Sequence, residues 1–353
     1  MLFIQSSFSI SSSNDQSFFN SPSKRIEPKD DVDDDNLVVV VSKSSPSGLV
    51  ENFRQAAGIH NIYRCASTDL LADCLHHGCD DDLTRIQWQQ PSDRFVFEKA
   101  GCILDLRSPN ERDEFKARKW TAIAGIKVLD IDDDDNSFHP YNLFGKYQRV
   151  VTRINVLSPA RFKSYIEQHW LSPTDTTRNT FGKERELHVL RMKALNDRGL
   201  FGLNQIILET GKDHLCKALQ LITMYLERYP KNNIVIHCVQ GKDRTGMLVM
   251  LLQSILGYSD ELIIQDYVLS NQMLGGSAVA DTGMKQTSNN MNPNLFSGAN
   301  QSTMRQTLTY LRTTYGSIVP DYTNSIGFDE HWRKRLLAVL IPTNHKAGTR
   351  SRL

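Results

Sequence analysis

The sequence predicts an α/β fold with a central, mostly parallel sheet flanked by helices. Two observations carry that prediction. Short β-branched runs bounded by turn residues alternate with amphipathic helical stretches, the order of a parallel sheet with crossover helices. The 353 residues are 40% hydrophobic and 23% charged, so a sizeable core can form.

The elements follow in chain order. Residues 1–48 are read as a disordered tail, crowded with serine and then with aspartate, because such text buries too little apolar surface to offset ordering entropy. Within it, Leu37 and Val38 to Val41 are a candidate strand. A globular domain is assigned to residues 49–342, with a flexible tail at 343–353. Strands are predicted at 100–106, 125–129 and 234–237. A helix at 213–228 places Leu215, Ala218, Leu219, Ile222 and Leu226 on one face, and Pro230 stops it. An apolar helix runs from about Thr245 to Leu256, with Gly257 as its C-terminal stop. Ser259 is positioned to cap the next helix, which carries Asp266, Tyr267 and Leu269. Residues 275–301 form a long polar loop, and helices close the chain near 304–315 and 330–340.

Several classes are excluded. Lys+Arg is 41 against Asp+Glu 40, without the basic excess of a nucleic-acid binder. No run of about 18 apolar residues predicts a membrane span. The N-terminus lacks the basic start and apolar core of a secretory signal, so a cytoplasmic location is expected. Six cysteines without a CxxC pair fit neither a disulfide scaffold nor a structural zinc site. The acidic run Asp130 and Asp132 to Asp135 lacks the glycine turn and distal glutamate of a calcium loop. No cofactor or metal is expected.

The sharpest feature is His237-Cys238-Val239-Gln240-Gly241-Lys242-Asp243-Arg244-Thr245-Gly246. A strand ends at His237, a helix follows, and the loop between carries a cysteine with an arginine six residues on. Spacing alone is weak evidence, since Cys79 and Arg85 share it. Three aspartates between those two would repel an anion, and no apolar helix follows. After Cys238 the context suits a phosphate instead. A helix N-terminus offers unpaired N–H groups and partial positive charge, and loop amides can curl around a tetrahedral oxyanion. Gly241 permits close backbone approach. The planar fork of Arg244 can hold two phosphate oxygens. The same environment favours the Cys238 thiolate, a competent nucleophile toward phosphorus.

This loop resembles the signature of cysteine-dependent tyrosine phosphatases. The form GKDRTG is similar to the atypical family of that class found in bacteria, fungi and other microbial eukaryotes. Further motifs resemble the same family: Asn52-Phe53-Arg54 with Ile62-Tyr63-Arg64-Cys65-Ala66, then Ile103-Leu104-Asp105-Leu106-Arg107-Ser108 with Glu111. So do Asp266-Tyr267-Val268-Leu269-Ser270-Asn271, and Tyr315-Gly316-Ser317 with Ile326-Gly327-Phe328. The resemblance covers about residues 50–341. It implies a protein tyrosine or dual-specificity phosphatase acting on a phosphorylated protein through a cysteinyl-phosphate.

Roles carry over as expectations. Cys238 is the implied nucleophile and Arg244 the phosphate clamp. His237 would orient the loop, and Thr245 would hydrogen-bond the departing sulfur. Val239, Gln240, Gly241 and Gly246 would complete the substrate-binding backbone, with Lys242 adding charge at the pocket mouth. Asp243 is the first candidate for the general acid, and Asp132 and Asp133 are the alternatives. Arg54 and Arg107 read as structural ion-pair partners. Cys65 or Cys102 would be a resolving partner if Cys238 were oxidised. Two rival readings stand beside this one: a phosphoinositide phosphatase, suggested by Lys242, and a phosphate-binding pseudoenzyme.

Overall fold

The β-branched runs fall into one six-stranded sheet. In chain order the strands are β1 (Arg54–Gln55), β2 (Ile62–Cys65), β3 (Ala100–Asp105), β4 (Lys127–Ile131), β5 (Val150–Ile154) and β6 (Asn233–His237). They lie in the order β1-β2-β6-β3-β5-β4. Only the β1–β2 pair is antiparallel; every other pairing is parallel. The structure is a computed structural model that describes residues 50–69, 71, 90–114, 120, 125–131, 149–174, 184–274 and 292–341. The candidate strand at 37–41, the Cys79–Arg85 pair, Asp132, Asp133 and residues 275–291 and 343–353 lie outside the described residues.

The central strands are apolar because helices cover both faces. Every residue of β3 is buried, and so are the last four of β6. One face holds the larger core, where Ile234, Ile236 and Leu104 meet Leu215, Leu219, Leu248 and Leu252. The other packs Val235, Ile103, Val151 and Cys65 with Trp120.

The register sets up the site. Cys65 of β2 and Asp105 of β3 both pair with His237 of β6. Three neighbouring parallel strands therefore end at one level. Ligand sites in open α/β sheets lie beyond such carboxyl ends.

Among the described residues the helices of six residues or more are α1 (Pro91–Glu98), α2 (Pro109–Glu114), α3 (Pro159–His169), α4 (Glu184–Thr210), α5 (Lys212–Arg228), α6 (Asp243–Ile255), α7 (Asp260–Met273), α8 (Gln301–Tyr315) and α9 (Glu330–Leu340). Beyond its first turn the α6 helix is an unbroken apolar run from Met247 to Leu252, buried on every side, and α4, α5 and α7 pack against it. Gly257, at φ +80°, follows it in the left-handed conformation that the stop signal anticipated. Ser259 caps α7 by accepting from the Leu262 amide at 3.4 Å. Among the described residues no helix is long and apolar enough to cross a membrane.

Three expectations shift. The strand expected at 125–129 runs from Lys127 to Ile131, because Gly125 sits at φ +80° in the turn before it. The helix expected from about Thr245 begins at Asp243, so Arg244 belongs to its first turn. Part of the expected 275–301 loop is regular, with a 3₁₀ turn at Pro293–Leu295 and α8 starting at Gln301. Pattern reading passed over β5 and α4. Arg153 interrupts the apolar run of β5, and Gly199, at φ 56°, bends α4 in mid-course.

Candidate active site

Cys238 follows β6 directly and is 2% exposed. His237 turns the chain out of the strand. Its Nδ1 donates to the Cys238 carbonyl oxygen at 3.1 Å, and its Nε2 faces the Thr68 hydroxyl at 3.5 Å. Burial lowers the His237 pKa against the pull of Asp105, so the ring is neutral near pH 7. The bond of His237 thus goes to the backbone carbonyl of Cys238.

The next three carbonyls all point away from the loop's interior. Val239 O accepts from the Ser67 amide at 2.8 Å. Gln240 O accepts from Asn52 Nδ2 at 2.8 Å. Gly241 O accepts from Arg64 Nη2 at 2.8 Å and from Asn52 Nδ2 at 3.2 Å. In a trans peptide the N–H lies opposite the C=O. The amides of Gln240, Gly241 and Lys242 are therefore turned inward, toward the N-terminus of α6. Such convergent N–H groups make an anion nest.

A buried scaffold holds those outward bonds. Arg64 Nη1 pairs with Asp266 Oδ2 at 2.5 Å, and Arg54 Nε faces Asp266 Oδ1 at 3.5 Å. Arg54 also donates to Asn52 Oδ1, to the Asp266 carbonyl and to Ser270 Oγ. Burial and the neighbouring Arg64 lower the Arg54 pKa to about 9 despite Asp266. Two guanidiniums share one carboxylate, leaving net positive charge beneath the loop. The motif residues at 52–54, 64 and 266–270 hence act as the frame of the loop. Arg107 is likewise structural, forked onto Asp105 and Asp69.

Gly241 meets its own constraint. It sits at φ +65°, and a Cβ there would lie 2.0 Å from the Cys65 carbonyl oxygen. The close approach expected for a ligand is an approach to the end of β2.

Arg244 is fixed by a partner that its own segment does not announce. Nη1 donates to Glu111 Oε2 at 2.6 Å and Nη2 to Glu111 Oε1 at 2.7 Å. Glu111 is anchored in turn by a capping box at the start of α2. Its carboxylate accepts from the Ser108 amide and hydroxyl, both at 2.8 Å, while Ser108 Oγ faces the Glu111 amide. Burial alone would raise the Glu111 pKa. The Arg244 charge and these hydrogen bonds outweigh it and pull the pKa to about 2. A guanidinium has five N–H donors. Two go to Glu111, which leaves the Nε–H and one hydrogen on each Nη for an anion. The S-x-x-E spacing at Ser108 was the readable signal for this anchor.

The remaining loop side chains depart from expectation in part. Lys242 is not at a pocket mouth. It is fully buried, and its Nζ donates to the Phe296 carbonyl at 2.5 Å, tying the loop to the segment before α8. The Thr245 hydroxyl is buried without a hydrogen-bond partner, as is Asp243 Oδ1. Burial raises the Asp243 pKa, while Lys242, Arg244 and Arg64 pull it down. Cys65 and Cys102 are free and buried, and burial pushes both thiols up, Cys102 to about 12.

An α/β sheet whose central strand delivers a cysteine into an inward-facing amide loop, with an anchored arginine beside it, defines a phosphatase. The chain belongs to the tyrosine phosphatase family, whose model matches residues 95–342. That match takes in Glu111, the loop and every helix from α2 to α9, and it begins after Asn52, Arg54 and Arg64. No curated protein matches the chain.

Proposed function

We propose that the protein is a cysteine-dependent phosphomonoester hydrolase acting on phosphotyrosine, or with dual specificity, in proteins. The observation that carries this reading is the outward turn of the three carbonyls at 239–241. It leaves inward amides and the free edge of Arg244 around Cys238.

In the first step the Cys238 sulfur attacks phosphorus. An S–P bond forms and the P–O bond to the leaving alcohol breaks, while Asp243 gives that oxygen a proton. In the second step Asp243 takes a proton from water, whose oxygen attacks phosphorus. The P–S bond breaks, inorganic phosphate leaves and the thiolate returns. Arg244 and the amides of Gln240, Gly241 and Lys242 neutralise the equatorial oxygens throughout. Burial raises the Asp243 pKa against the pull of Lys242, Arg244 and Arg64, the direction a proton donor needs. Thr245 supplies a buried hydroxyl, free of other bonds, for the departing sulfur. The phosphoinositide reading rested on Lys242 as an exposed cation, and its buried bond to Phe296 removes that support.

The test is turnover of a phosphotyrosine peptide by the full chain, beside Cys238→Ser and a soluble phosphoinositide. Loss of all turnover in the variant, with trapped substrate, is expected. Full activity in Cys238→Ser would end the proposal, and preference for the phosphoinositide would change the substrate class.

A further inference from the structure

The ring of His237 has two nitrogens, and its neighbours decide which of them carries the proton. His237 lies two residues beyond Val235 on β6, so it shares the sheet face of the core that holds Trp120. Three enclosed polar side chains meet there. Trp120 is 2% exposed, His237 1% and Thr68 0%. Trp120 Nε1 donates to Thr68 Oγ1 at 3.2 Å, and Thr68 Oγ1 lies 3.5 Å from His237 Nε2. The reaction above uses neither Trp120 nor Thr68.

The direction of each hydrogen follows from what each group is able to do. An indole N–H only donates, so Trp120 occupies one lone pair of Thr68 Oγ1. A carbonyl only accepts, so His237 Nδ1, 3.1 Å from the Cys238 oxygen, carries a proton. In a neutral ring Nε2 is then a bare acceptor. Among the described residues Thr68 Oγ1 has hydrogen-bonding contact with Trp120 and Nε2 alone. Its single hydrogen therefore goes to Nε2.

We propose that Thr68, held by Trp120, is a positioning residue that selects the Nδ1–H form of His237 and through it holds the Cys238 carbonyl. The opposite tautomer would set a lone pair against that carbonyl and release it. The charges facing the ring do not make this choice. Asp105, with Oδ2 4.0 Å from Nε2, and Asp69 both draw a proton toward Nε2. Arg107, which is forked onto both carboxylates, opposes them. The Thr68 hydrogen fills the position that such a proton would take. The consequence lies in the loop. With the Cys238 carbonyl held by the ring, the Val239 amide across the same trans peptide faces the other way and joins the inward amides of Gln240, Gly241 and Lys242. This inference rests on the reading of that loop as a phosphate site.

The experiment is nitrogen NMR of the histidine rings in the full chain at neutral pH, with His237→Gln to assign the signal. It is run beside kcat/KM for a phosphotyrosine peptide. In the wild type Nδ1 carries the proton and Nε2 is bare. Thr68→Val keeps the shape and removes the hydroxyl. In that variant Nε2 gains a proton and kcat/KM falls about three- to tenfold, the range of one neutral hydrogen bond. Thr68→Ser keeps the hydroxyl and restores both. A proton on Nε2 in the wild type overturns the proposal. So does an unchanged ring in Thr68→Val, or a changed ring with wild-type kcat/KM. If Thr68→Val does not fold, Trp120→Phe decides, because it frees a lone pair on Thr68 Oγ1 to accept from an Nε2 proton and moves ring and rate the same way. Full activity in Cys238→Ser would instead end the catalytic reading, a result distinct from any change in the ring signal.

Discussion

Replacing Glu111 by glutamine isolates the one contact that aims Arg244. The pair is bidentate, at 2.6 Å and 2.7 Å, with the arginine side chain 10% exposed and the glutamate 26%. The folded pKa of Glu111 is about 2 against an ordinary 4.5. That difference corresponds to about 3 kcal/mol at neutral pH, reduced to about 2 kcal/mol by solvent screening of a partly exposed carboxylate. Because the folded pKa is depressed, this stability is present above 4.5 and is lost as the pH falls through about 2. Urea unfolding of Glu111→Gln at neutral pH should therefore show a loss of about 2 kcal/mol. The gap to the wild type should narrow between pH 4.5 and pH 2. Activity should fall further than stability. A neutral amide presents an NH₂ where the guanidinium needs an acceptor, so the free edge of Arg244 loses its aim. We expect kcat/KM to drop about 10²-fold, the scale of losing one oriented donor to a transition-state oxyanion. A variant with the predicted instability but wild-type kcat/KM would show that Arg244 finds its orientation without Glu111, and would refute the reasoning.

The frame under the loop makes further predictions. Asp266→Ala strands Arg54 and Arg64 as uncompensated buried charges, and should cost about 3–5 kcal/mol in urea unfolding. Gly241→Ala drives a methyl into the Cys65 carbonyl at a φ of +65°. It should abolish phosphatase turnover and lower the thermal midpoint, and a soluble variant with normal turnover would contradict the packing described. Lys242→Met keeps the buried stem but leaves the Phe296 carbonyl without its donor. A loss of about 1 kcal/mol in thermal unfolding is expected, and wild-type stability would mean that the ammonium holds nothing there.

Local pattern carried far in this chain. The β-branched text at 234–237, the apolar 247–252 and Gly257 specify strand, helix and stop through interactions within a few residues. The helices at 213–228 and 330–340 were readable for the same reason, and both are observed. Ser259 and the Ser108–Glu111 spacing are capping signals whose partners lie three residues away.

What the sequence by itself determined is the chemistry available: one loop with a thiol, a guanidinium, a carboxyl and two glycines, set between a strand and a helix. What only the tertiary structure decided is how those groups are turned. The loop carbonyls face outward because Asn52 and Arg64, nearly two hundred residues earlier, come to lie beneath them. Arg244 is aimed by Glu111 across 133 residues, and Lys242 is withdrawn from the mouth by the Phe296 carbonyl 54 residues on. Such partners meet through the parallel register of β2, β3 and β6. Direction in a site comes from contacts between distant segments, which residue spacing along one segment does not encode.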